Sequence, residues 1–244
     1  MNNQSIEMQT HLQQGLAHLK IEAAPEMLLK CVQFYEYLLE VNKVMNLTRI
    51  TEPIDVAVKH FADSFTVYDT QSFPVACRVI DVGSGAGFPG IPLVLLRPDI
   101  KMTLADSLRK RTQFLSEACN RIGLKDIEVV QSRAEDLGQN RNYREAFDVV
   151  LARAVAPLNV LVELCLPLLK VGGVFFAMKG PRAADEVEEA QKAISILGGG
   201  KIVMNTKQLP LTEEGRVIIR IEKNRLTPSL YPRKAGIPER QPLK

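Results

Sequence analysis

The residues best placed to do chemistry lie in one ten-residue run, Asp81-Val82-Gly83-Ser84-Gly85-Ala86-Gly87-Phe88-Pro89-Gly90. Glycines at this density let a backbone turn sharply and approach a ligand with no Cβ in the way. The run follows a β-rich stretch, residues 78–82 (RVIDV), and opens an apolar stretch that reads as a helix to about Leu96. A helix N-terminus behind such a turn offers unpaired N–H groups. Strand, glycine turn and helix in that order make a cradle for a nucleotide-type cofactor. Asp106 closes the next β-rich stretch, 23 positions after Gly83, where a carboxylate can accept the hydroxyls of an adenosine ribose.

Two frames fit the turn. Read from Gly85, the glycines Gly85, Gly87 and Gly90 match G-x-G-x-x-G, the dinucleotide pattern. The strand, however, ends at Val82, so the turn begins at Gly83. Read from there the run is D-x-G-x-G-x-G, starting at Asp81, which resembles the cofactor loop of class I S-adenosylmethionine-dependent methyltransferases. Asp106 serves either adenosine cofactor, and Ala134-Glu135 would flank the adenine. An NAD-dependent oxidoreductase therefore stays open as the alternative.

The elements that must position these residues follow from periodicity. Leu12, Leu16 and Leu19 recur at helical spacing, as do Leu28, Val32, Tyr35 and Leu39, then Ile54, Val58, Phe61 and Phe65. A helical region over residues 1–70 is expected to lie against the domain that follows. Within residues 71–222, β-rich runs at 78–82, 101–105, 127–131, 147–152 and 174–179 alternate with helical runs, including 108–122 and about 158–169. That alternation requires parallel strands with crossover helices. Two further runs, about 201–209 and 216–222, are joined by a short turn and must be antiparallel. The expected fold is α/β: a Rossmann-like, doubly wound class I methyltransferase sheet with its last strand antiparallel and an N-terminal helical extension.

The net charge of +3 is unevenly spread. Residues 223–244 hold six basic side chains against Glu239 alone, so this tail carries +5 and the rest of the chain −2. Such asymmetry points to a polyanionic partner. Pro228, Pro232, Pro238 and Pro242 disfavour regular structure there. The tail is expected to be a disordered end or a segment that orders on RNA, with Tyr231 able to stack on a base. Cys31, Cys77, Cys119 and Cys165 stand singly and read as buried thiols, and His11, His18 and His60 form no ligand pattern, so no metal site is expected. The start has no basic segment followed by an apolar one, which makes a cytoplasmic address the default expectation.

The methyl acceptor is narrowed by what the loop after the fourth strand lacks. Enzymes acting on exocyclic amines carry an Asn/Asp-Pro-Pro-aromatic run there, whereas this chain has Ala152-Arg153-Ala154-Val155-Ala156-Pro157. There is no Pro-Cys pair of the kind that attacks carbon 5 of pyrimidines. Guanine N7 carries a lone pair and no proton, so it needs no general base, and its N7/O6 edge is one that arginine reads bidentately. Proximity and in-line alignment would then do the work. Arg153 places a cation at the ligand-binding edge of the sheet, either toward a ligand or in an ion pair with a neighbouring acid.

At this point the sequence resembles the RsmG family, also called GidB, of bacterial 16S ribosomal RNA guanine-N7 methyltransferases. The matching residues include Asn46-Leu47-Thr48, Lys59-His60-Phe61 with Asp63-Ser64, and the run from Val82 through Ile91-Pro92. They continue with Asp106-Ser107, Lys110-Arg111, Ser132-Arg133-Ala134-Glu135, Ala152-Arg153-Ala154, Lys179-Gly180 and Tyr231-Pro232-Arg233-Lys234. The resemblance implies S-adenosylmethionine bound by Gly83, Phe88, Ala134, Glu135 and Arg153, and a target at nucleotide 527 (rRNA numbering) near the decoding site of the small subunit. It implies 16S rRNA or the small subunit as partner, and a monomer is expected. Arg109, Lys110, Arg111, Arg133, Lys179, Arg233 and Lys234 are the candidate RNA contacts, and Asn46 and His60 candidates for shaping the pocket from the helical region. A noncatalytic RNA-binding assembly factor is the third reading.

Overall fold

A computed structural model describes residues 2–153 and 155–243; Met1, Ala154 and Lys244 lie outside the described residues, Ala154 among those named above and Lys244 among the tail's cations. The chain opens with α1 (Asn3–His18), whose N-cap Asn2 accepts from Ser5 N at 2.8 Å. The second helix, α2 (Pro25–Met45), starts on a proline and ends at Asn46, which takes the left-handed cap conformation. The third helical stretch has an α-helical turn at each end, α3 (Pro53–Asp55) and α4 (Asp63–Phe65), around a π-helical middle, Val56–Ala62.

After β1 (Arg78–Val82) come α5 (Gly90–Leu96), β2 (Lys101–Asp106), α6 (Arg109–Arg121), β3 (Ile127–Gln131), α7 (Ala134–Gln139) and β4 (Phe147–Arg153). Then follow α8 (Leu158–Cys165), a 3-10 turn Leu166–Leu168, β5 (Leu169–Lys179), α9 (Ala183–Ile196), β6 (Gly199–Gln208), β7 (Gly215–Lys223) and α10 (Ile237–Arg240). The seven strands lie in the order β3-β2-β1-β4-β5-β7-β6. The first five pair in parallel, and β7 pairs antiparallel with both β5 and β6.

Successive strand residues feed opposite faces, as the two-residue repeat of a strand demands. Val79, Val149, Leu151 and Phe176 join one apolar cluster, together with side chains of α1, α2, the π-helical turn, α5 and α6. Ile80, Val150, Ala152, Phe175 and Ala177 join the other, with α8 and α9. The N-terminal helices thus share one core with the sheet. The four cysteines are buried and unpaired, and burial pushes the Cys77 and Cys119 thiols up to about 11. Among the described residues no helix is long and apolar enough to cross a membrane.

Three expectations need correction. β5 begins at Leu169, not 174: Gly172 and Gly173 lie inside it, where the register against β4 shifts between Phe147 and Val149. α7 was not foreseen, because six residues are too few to show helical periodicity. The tail is not irregular throughout. It packs on the core, Tyr231 lies partly buried against the second apolar cluster, and α10 forms near its end.

Candidate active site

The site is assembled at the C-terminal ends of β1, β2, β3 and β4. Gly83 N and Ser84 N both donate to Ala105 O, at 2.8 and 3.0 Å, which folds the glycine turn back onto the end of β2. Gly83 has φ +74, and a Cβ there would lie 2.8 Å from Val155 Cγ2. Only glycine lets the loops after β1 and β4 meet this closely.

Asp106 is held by three donors. Its Oδ2 accepts from Gly85 N at 3.0 Å and from Arg111 at 3.4 Å, and its Oδ1 accepts from Leu108 N at 2.9 Å. Gly85 therefore acts by fixing this carboxylate. Asp81 sits behind the turn, fully buried. Its Oδ2 accepts from Gly90 N at 3.0 Å, capping the first residue of α5, while its Oδ1 has no partner. Burial drives the Asp81 pKa up to about 7.

Gly83 and Asp106 border a cavity of about 310 Å³. Its lining is mixed: polar Asp106, Ser107 and Arg111, and apolar Ala134, Val160, Leu164 and Pro238. Gly83, Val155 and Ala156 form the floor toward β4, and Arg133, Glu135 and Arg153 also face it. Lys179 fixes that floor, donating to Ala156 O and pairing with Glu186 at 2.7 Å; Glu186 also accepts from Leu158 N, capping α8.

Arg153 is held from the N-terminal helices. Its Nη1 donates to Asp63 Oδ2 at 3.0 Å and to Lys59 O at 3.1 Å, and its Nη2 meets His60 Nδ1 at 3.2 Å. A guanidinium can only donate, so His60 Nδ1 accepts and Nε2 carries the proton that reaches Thr48 Oγ1 at 2.9 Å. Burial, together with the Arg153 charge, lowers the His60 pKa to about 3, so the ring is neutral. His60 stacks on Phe88 with centroids 4.4 Å apart, and Arg153 lies 5.4 Å over the same ring. Asp63 also accepts from Arg216 at 3.1 Å. Burial raises its pKa, and the two guanidiniums oppose the rise.

Of the residues expected to hold a cofactor, Gly83, Asp106, Ala134, Glu135 and Arg153 come together on the cavity, whereas Asp81, Gly85 and Phe88 stand behind it. Phe88 is buried in an aromatic cluster with Phe34 and Phe61 and supports Arg153 from beneath. Among the candidate RNA contacts, Arg111 and Arg133 reach the cavity, and Arg109, Lys110 and Lys234 are exposed. Lys179 and Arg233 are committed internally, the latter to both oxygens of buried Glu163 at 2.8 and 2.6 Å. His60 is a buried partner of Arg153, and Asn46 is an exposed helix cap. Sequence reasoning missed Val155, Val160, Leu164, Pro238 and Glu239. The apolar ones look like any core position until the fold turns them toward the cavity.

The dinucleotide frame does not survive this geometry. It requires a pyrophosphate at the N-terminus of the helix that follows the turn. Here the Asp81 carboxylate occupies that N-terminus and already takes the Gly90 N–H that a phosphate would need.

The profile of the GidB family, described as rRNA small subunit methyltransferase G, matches residues 27–214. The chain belongs to this family. A relative from Desulforamulus reducens, named ribosomal RNA small subunit methyltransferase G, is 47% identical over 95% of this chain and 97% of its own length. One of the same name from Lactobacillus acidophilus is 50% identical over 86% of this chain and 88% of its own. In structure, the chain is similar to a predicted O-methyltransferase from Agrobacterium tumefaciens at TM-score 0.52 and 20% identity, covering 68% of this chain and 81% of the other. The fold is that of a class I methyltransferase. The GidB match includes the glycine turn, Asp106 and Arg153, the three features that build the cavity.

Proposed function

We propose that the protein transfers the methyl group of S-adenosylmethionine to N7 of a guanine in 16S ribosomal RNA, at nucleotide 527 (rRNA numbering), near the decoding site. One observation carries the reading: the Gly83 turn, Asp106 and Arg153 converge on a single cavity whose neighbouring buried Asp81 retains a carboxylate oxygen without a partner. The residues fit this cofactor. Asp106 keeps one acceptor position for a ribose hydroxyl beside its three donors, the apolar lining residues suit an adenine, and the carboxylates suit a cationic sulfonium and ammonium group better than a pyrophosphate.

When bound, S-adenosylmethionine supplies an electrophilic methyl group. The protein's residues have the remaining tasks of orientation and exclusion of water. Gly83 and Val155 close the floor beneath the reacting centre, and Lys179 holds that floor in place. Arg153, locked by Asp63, Lys59 O and His60, presents a fixed cation at the edge where a guanine would enter. Asp106 is already engaged by three donors and Glu135 by Gly236 N, so neither is poised to remove a proton. An acceptor with a free ring-nitrogen lone pair matches such a site, and alignment of this kind is worth about 7–11 kcal/mol of barrier.

The test is methyl transfer from labelled S-adenosylmethionine to small subunits and to naked 16S RNA prepared from cells lacking this gene. Nucleoside digestion and mass spectrometry then locate the label. Expected is 7-methylguanosine at one site. Label on an exocyclic amine or on carbon would overturn the N7 assignment, and no label in any RNA form would overturn the activity.

A further inference from the structure

Pro238 and Glu239 line the cavity although they belong to the basic tail. The tail is carried there by four sets of contacts. Arg144 donates to Thr227 O and Tyr231 O, each at 2.7 Å, and Gln139 Nε2 donates to Pro232 O at 2.8 Å. Arg233 makes its bidentate pair with Glu163, and Gly236 N donates to Glu135 Oε1 at 2.9 Å across 101 positions of sequence. The chain then turns at Gly236, whose φ of +79 suits glycine, and α10 buries Pro238.

The consequence is a slot of defined chemistry. Apolar Pro238, Ala134, Val160 and Leu164 line it together with polar Asp106 and Ser107. A flat heteroaromatic ring fits the apolar part while its sugar hydroxyls meet the carboxylate. Three of the tail's cations, meanwhile, make contacts within the fold: Lys223 is buried on Glu145 at 2.9 Å, Arg233 pairs with Glu163, and Arg240 Nε donates to Gly236 O. We infer that residues 236–240 belong to the cofactor site, with Pro238 closing the slot over the adenine ring and Glu135 holding the segment there through Gly236 N. This inference rests on the S-adenosylmethionine reading above.

Titration calorimetry on the full chain, on Pro238→Ala and on a variant lacking residues 236–244, with S-adenosylhomocysteine and with adenosine as ligands, tests it. Loss of the proline face is expected to weaken S-adenosylhomocysteine by about tenfold, and deletion by more. Adenosine must lose the same factor, because the segment faces the base. The same deletion should shift the slope of log affinity for RNA against log salt by no more than about two, the share of the two cations it removes. Undiminished S-adenosylhomocysteine affinity in Pro238→Ala would overturn the inference, as would a loss that spares adenosine. If the full chain binds neither ligand, the cofactor reading itself falls.

Discussion

Asp63 accepts from Arg153 at 3.0 Å and from Arg216 at 3.1 Å with almost no contact with water. Removing the carboxylate leaves two guanidiniums facing each other inside the protein. Asp63→Ala is expected to cost about 3–5 kcal/mol of unfolding free energy, read from urea denaturation. Asp63→Asn keeps the shape, frees Arg153 and should lower methyl transfer more than cofactor affinity. Asp106→Asn is expected to weaken S-adenosylmethionine binding by about 10–100-fold, since a charge-assisted bond becomes a neutral one; calorimetry at constant pH measures it. His60 makes a pH prediction. Its folded pKa of about 3 lies below the unfolded value of 6.5. Between these values the unfolded chain binds a proton that the folded chain refuses, so His60 costs stability as pH falls. At pH 5 the cost relative to pH 7 is about 2 kcal/mol. Asp81, raised to about 7, has the opposite slope over the same window. The measurable quantity is therefore the difference between the wild type and His60→Gln, which should shrink from pH 7 to pH 5 as the variant escapes the penalty.

At the scale of elements, the π-helical turn Val56–Ala62 and the tail do what α-helices and strands could not. This turn and the start of α4 bring Lys59 O, His60 and Asp63 to one guanidinium. The pattern of Ile54, Val58, Phe61 and Phe65 announced a helix here, but periodicity does not distinguish a π-turn from an α-turn over seven residues. The tail's latch is equally local. Arg233→Met strands the buried Glu163 charge, so the segment from Arg233 to the end of α10 should open. Hydrogen exchange checks it: amides of 231–241 are expected to lose protection while those of β1 and β4 keep theirs.

For the whole molecule, the question is where a polyanion meets the cavity. Arg109 and Lys110 are exposed at the start of α6, next to Arg111 and Arg133 on the cavity rim. Cations at a helix N-terminus oppose the helix dipole, which gives them no local structural benefit. Replacing Arg109 and Lys110 together by alanine should flatten the salt dependence of RNA binding by about one to two in log–log slope, measured by filter binding from low to high salt. An unaltered slope would place the RNA elsewhere on the surface.

Much of this protein was legible before any coordinates. Strand β1, the parallel run through β5 and the antiparallel β7 follow from β-rich segments, turn lengths and glycine positions, because these are local rules with a fixed period. The glycine turn and Asp106 were legible for the same reason: adjacent residues in one strand–turn–helix unit define the cradle. What only the tertiary structure decided depends on contacts between distant parts of the chain. Whether Asp81 caps a helix or stands free, whether Phe88 lines a cavity or supports Arg153, and whether a run of prolines and cations stays loose or packs on the core are decided by partners such as Glu163, Glu135 and Asp63. A charge in a sequence has no partner until folding brings one within hydrogen-bond distance, and once both are buried, leaving either alone is costly enough to override local preferences.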